Sequence, residues 1–111
     1  GGVRRGRVHQ LLEEMGAPEH RLGTRWIALT AQTLAAGPEG MLLKEAYYPA
    51  IQRSRSSYGA VDKNIRDVLQ TIHAAATPRY QALMGGLPSR CPSSKAFLLR
   101  LARELQEGRA E

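Results

Sequence analysis

The amino-acid sequence predicts an all-α fold, a compact six-helix domain containing a helix-turn-helix. Three observations carry that reading. Apolar residues recur at helical spacing in successive segments, most cleanly at Val61, Ile65, Val68, Leu69 and Ile72, which share one helical face. No stretch alternates apolar and polar residues over strand length, and β-branched residues are sparse. Glycine and proline stand where the periodic segments should stop and start.

Each element follows in order. "RVHQLLEEMG" sets Val8, Leu11, Leu12 and Met15 on one face, and Gly16 and Pro18 end it. "EHRLGTRWIALTAQTLAAG" places Leu22, Trp26, Leu29 and Thr33 on one stripe, with Ile27 and Leu34 beside it, and Gly37-Pro38 closes it. Trp26 reads as core. "EGMLLKEAYYPAIQRS" is shorter, and Pro49 marks either a kink or a first turn after a break. The next helix begins near Tyr58, with Ser56 or Ser57 ready to cap it. Pro78 opens "TPRYQALMGG", which Gly85-Gly86 ends. Cys91-Pro92-Ser93 leads into "SKAFLLRLARELQEG", where Ala96, Phe97, Leu98, Leu99, Leu101, Ala102 and Leu105 make a wide apolar face and Gly108 is the expected stop. The expected organisation is a linker or remnant at 1–7, the helical domain at 8–107 and a tail at 108–111.

The totals bound the class. At 111 residues and 42% hydrophobic the chain suits one domain with one modest core and is too apolar for general disorder. No apolar run approaches the roughly 20 residues that span a bilayer, and no signal-peptide pattern is present. A single cysteine, Cys91, excludes an internal disulfide and fits a cytoplasmic home. The chain opens Gly1-Gly2 without Met, which reads as an expression scar or a cut within a longer protein.

The net charge of +6 is concentrated in two stretches. Residues 1–10 carry Arg4, Arg5 and Arg7 without an acid, and residues 52–66 carry Arg53, Arg55, Lys63 and Arg66 against Asp62; the remainder is neutral. Such placement suggests a polyanionic partner. A solvated surface behind a basic leader is the plainer account.

Catalysis finds little support. Glu13 and Glu14 are adjacent and point apart on a helix. His9 and Glu13 lie one turn apart, but two ligands make no metal site. Cys91 lacks helical spacing to His9, His20 or His73, and the glycines form no phosphate-cradling motif, so no cofactor is expected.

The stretch "AIQRSRSSYGAVDKNIRDVL" differs. A helix ending near Gln52, a tight polar connection and a second helix from Tyr58 fit a helix-turn-helix, whose second helix enters the DNA major groove. Lys63 and Arg66 lie one turn apart on the outward face with Asn64 beside them; Arg and Lys bind guanine edges, Asn binds adenine, and Asp62 can accept from a cytosine amino group. Arg53, Ser54, Arg55, Ser56, Ser57 and Tyr58 suit contacts to the phosphate backbone. Against this, Asp62 with Arg66 and Lys63 with Asp67 are i,i+4 pairs of opposite charge that a plain solvated helix would also carry.

"LLEEMGAPEHRLGTRWIALTAQTL", "YYPAI", "AVDKNIRDVLQTIH" and "CPSSKAFLLRLARELQ", in that order and spacing from about Val8 to about Glu107, resemble the C-terminal effector domain of the stage-zero sporulation protein A family, the sporulation master response regulators of spore-forming Firmicutes. The resemblance implies a six-helix, sequence-specific binder of double-stranded DNA, normally fused behind a phosphorylatable receiver in a two-component phosphorelay. It puts the recognition-helix contacts on Asp62, Lys63 and Arg66, where the family usually has Glu, Arg and Arg. A further family arginine aligns with Ala60, and the turn is one residue shorter. A homodimer on tandem sites and RNA polymerase are further candidate partners. The competing expectation is a protein-interaction or dimerisation domain of the same fold that has lost tight DNA binding, using the apolar face of residues 96–105. Ala60 and Lys63 favour it.

Overall fold

A computed structural model describes residues 2–110, with side chains from residue 6 to residue 108. Among them the chain forms helices and no strand: α1 (Gly2–Glu14), α2 (Leu22–Ala36), α3 (Leu43–Ala46), α4 (Tyr48–Ser54), α5 (Tyr58–Ala75), α6 (Pro78–Met84) and α7 (Ser94–Ala110). The all-α expectation holds. The seventh helix arises at Pro49, where of the two expectations, a kink or a first turn after a break, the structure has the break. Tyr47 ends α3 by donating its N–H to Leu43 O at 2.9 Å and starts α4 by accepting from Ile51 N at 2.9 Å. Pro49 then lies in the first turn of α4, where its missing N–H leaves no bond unmade.

Helix α1 takes in residues 2–7, and α7 runs through Gly108 to Ala110 rather than stopping there. The Arg4 and Arg5 side chains lie outside the described residues, as do those of residues 109–111.

Helix α2 is the hub. It packs against α5 on one side and α7 on the other, and touches α1, α3 and α4. A helix flanked this way buries residues around most of its circumference: Gly23, Thr24, Trp26, Ile27, Ala28, Thr30, Ala31, Leu34 and Ala35 are buried. The stripe expected from large apolar residues alone is therefore rotated. Leu22 is 50% exposed, while Thr30 is fully enclosed. Close approach needs small residues, and Gly23 marks the closest point. A β-carbon there would collide with the backbone carbonyl of Asn64 and come within 2.6 Å of Val68 Cγ2.

The remaining helices close the core. Val61, Ile65, Val68, Leu69 and Ile72 of α5 are all buried, as its periodicity predicts. On α7, Phe97, Leu98, Leu101, Ala102 and Leu105 are buried, and Leu99 stays 43% exposed. The wide apolar face of residues 96–105 is thus mostly spent on this chain's own core. Thr77 caps α6 by accepting from Tyr80 N at 3.1 Å, and Gly85 ends it in the left-handed conformation. A Cα radius of gyration of 12.9 Å suits one domain of this length.

Candidate nucleic-acid interface

Helices α4 and α5 are joined by Arg55, Ser56 and Ser57 alone. Arg55 makes so short a reversal work by adopting the left-handed conformation, φ 52°, with its N–H returned to Gln52 and Ile51 carbonyls of α4. That conformation is costly for a residue with a β-carbon. Ser57 then starts α5, its Oγ accepting from Ala60 N at 3.2 Å.

The local hydrogen bonds decide which serines are free to donate. Ser54 Oγ donates to Ala50 O at 2.7 Å, and Ser56 Oγ lies 2.6 Å from Ser54 Oγ. Since Ser54 has spent its one proton, Ser56 is the donor in that pair. Ser57 only accepts, so its O–H remains available. Arg53, Arg55, Ser56, Ser57 and Tyr58 are exposed around the turn, and Ser54 is half-buried. The Tyr58 ring packs on the Tyr47 ring with centroids 4.9 Å apart.

On α5, Gly59, Lys63, Arg66 and Gln70 are exposed, opposite the buried face. Asn64 beside them is half-buried, and its backbone carbonyl faces Gly23 of α2.

Both i,i+4 ion pairs are formed. Lys63 Nζ lies 3.0 Å from Asp67 Oδ2 and Arg66 Nε 2.9 Å from Asp62 Oδ2. The Lys63 hydrogen bond holds the Asp67 carboxyl below its ordinary range. Asp62 is more enclosed, because the Tyr47 hydroxyl donates to its other oxygen at 2.6 Å. Burial, the bond to Asp62 and that carboxylate's charge push the Tyr47 phenol far above its usual range. Tyr47 itself has no exposed surface. Nothing in the sequence pattern pointed to Tyr47, which lies 15 residues from its partner.

Elsewhere, no group of three or more His, Cys, Asp or Glu among the described residues could hold a metal ion. No helix among them is long and apolar enough to cross a membrane. Cys91 is half-buried, and burial pushes its thiol up, away from the reactive thiolate. A groove of about 520 Å³ lies between the α2–α3 connection and α7, lined by Leu34, Met41, Leu42, Leu99 and Arg103 among others. No protein-family model, no curated protein and no solved structure matches the chain.

Proposed function

We propose that α4 and α5 form a helix-turn-helix that binds double-stranded DNA, with α5 as the recognition helix, in a bacterial transcription regulator of the sporulation response-regulator type. The observation that carries this reading is the composition of the exposed surface around the short α4–α5 turn. Arg53 and Arg55 flank the turn, and Lys63 and Arg66 follow on the solvent side of α5. Cations on a turn meet the phosphate backbone, and cations one and two turns into a helix meet base edges. The ion pairs to Asp62 and Asp67 do not oppose this. The exposed Lys63–Asp67 pair contributes about 0–1 kcal/mol and exchanges readily, and the Arg66–Asp62 pair uses only the Arg66 Nε–H, which leaves the terminal amino groups for bases.

Lys63 and Arg66 read bases in this account; Arg53, Arg55 and the free Ser57 hydroxyl hold the backbone. Selection of sites from a random duplex pool, run on the wild type and on Arg66→Ala, tests it. The expected result is an enriched motif for the wild type and relaxed preference at one or two base pairs for the variant, at a cost of roughly 1–3 kcal/mol on the preferred site. Identical profiles, or no motif from the wild type, would remove α5 as a recognition helix.

A second reading, a protein-interaction domain of the same fold, rests on the groove beside α7, where Leu42 and Leu99 are 54% and 43% exposed. Titration of labelled duplex at two salt concentrations separates the two. The DNA reading expects affinity that falls steeply with salt; the interaction reading expects no salt-dependent binding.

A further inference from the structure

The two cations on the outer face of α5 are paired alike in sequence and unlike in space. Lys63 meets Asp67, whose carboxylate is itself 40% exposed and has no other side-chain hydrogen bond among the described residues. Arg66 meets Asp62, whose carboxylate is 21% exposed and is gripped from outside the helix by the buried Tyr47 hydroxyl at 2.6 Å. Tyr47 sits at the junction of α3 and α4, with its ring against Tyr58. The chain Tyr47 to Asp62 to Arg66 therefore ties a guanidinium on the exposed face to the core.

We infer that Tyr47 is a positioning residue for base recognition: through Asp62 it holds Arg66 in a fixed pose that selects guanine. This rests on the DNA reading above. Arg66 uses its Nε–H, on the side edge of the guanidinium, to bind Asp62 Oδ2 at 2.9 Å. The two terminal amino groups make no hydrogen bond among the described residues, and the side chain is 60% exposed. That pair of terminal donors is the fork that matches guanine O6 and N7. A guanidinium already held in place loses less freedom on docking and tolerates fewer base geometries. Asp62 acts here as the support, with the Tyr47 hydroxyl on one oxygen and the Arg66 Nε–H on the other. Lys63, a point charge paired with a carboxylate that no other side chain among the described residues hydrogen-bonds, lacks this support and reads its base less selectively than Arg66.

The test has one arm in the free protein and one on DNA. By ¹⁵N NMR, the Arg66 Nε–H is expected to exchange with water more slowly than those of Arg53 and Arg55. Tyr47→Phe, which keeps the ring and removes the hydroxyl, should make it as fast as those two. On duplex, Tyr47→Phe should lower preference for guanine at the base pair Arg66 reads by about fivefold, the low end of one two-pronged base contact. Lys63→Ala should leave both the Arg66 exchange and the guanine preference at that base pair unchanged, since Lys63 pairs with Asp67 instead. If Tyr47→Phe fails to fold, Asp62→Ala replaces it, with the same expected release of Arg66 and the same loss of preference. A Tyr47→Phe protein that melts lower but keeps slow Arg66 exchange and an unchanged base profile makes Tyr47 merely structural and overturns the inference. So does an Arg66 Nε–H that exchanges as fast as that of Arg53 in the wild type. A wild-type pool with no enriched motif instead sinks the DNA reading, and guanine selection with it, whatever the exchange shows.

Discussion

Gly23 of α2 lies directly against the Asn64 carbonyl of α5, with no room for a β-carbon between them. The obstacle is backbone, which cannot swing aside as a side chain can, and Val68 Cγ2 closes the other side at 2.6 Å. Gly23→Ala should therefore destabilise the fold by about 1–3 kcal/mol, the usual cost of overpacking, despite alanine's better helix propensity. Urea unfolding checks this. A variant as stable as the wild type would mean that the two helices do not approach this closely.

That contact also shows what a sequence leaves hidden. The buried face of α5 was legible, because Val61, Ile65, Val68, Leu69 and Ile72 are large and fall at one helical period. The face of α2 was not. It is enclosed by two helices, so its buried set includes Gly23, Thr24, Thr30 and Ala31, residue types that carry no hydrophobic signal. Lys63 and Arg66 were correctly expected on the exposed side, by the same periodicity that buries their neighbours. That Asn64 is only half-exposed was not legible, because the position of α2 decides how far that flank of α5 is covered. Tyr47 was invisible because its role depends on a contact across the α4–α5 turn.

Ile65 measures the core beneath the proposed recognition surface. It has no exposed surface and lies one residue from Arg66. Ile65→Ala should cost about 2–5 kcal/mol by transfer and cavity formation. Thermal or denaturant unfolding reads this directly. A cost below about 0.5 kcal/mol, typical of a surface substitution, would contradict its burial.

Arg55 sets stability against binding. Its left-handed conformation disfavours a side chain with a β-carbon, and glycine adopts it freely. Arg55→Gly should raise unfolding stability by about 0.5–1 kcal/mol. The same change should weaken binding to all duplexes about equally and reduce the salt slope by about one unit. Loss confined to particular sequences would make Arg55 a base reader instead. Arg53→Ala should weaken binding in the same uniform way without the gain in stability.

Alkaline pH probes the buried tyrosines. Tyr47 is raised above its ordinary value of 10.0 by burial and by Asp62, and Tyr80 is raised from the same value, chiefly by burial. An acid raised in this way keeps its proton in the folded chain while the unfolded chain releases it. Above the ordinary tyrosine pKa the unfolded state therefore binds fewer protons, and stability falls as pH rises. Below that pKa both states are protonated and the contribution is fully present. The melting temperature should hold between roughly pH 8 and 9 and fall from about pH 10 upward. Tyr47→Phe, which removes the titrating hydroxyl, should make that fall shallower even if it melts lower at neutral pH. Absorbance at the tyrosinate band should show Tyr47 ionising only with unfolding and Tyr80 ionising above its ordinary value. A titration in which all four tyrosines ionise near their ordinary value in the folded protein would contradict the enclosure of both hydroxyls.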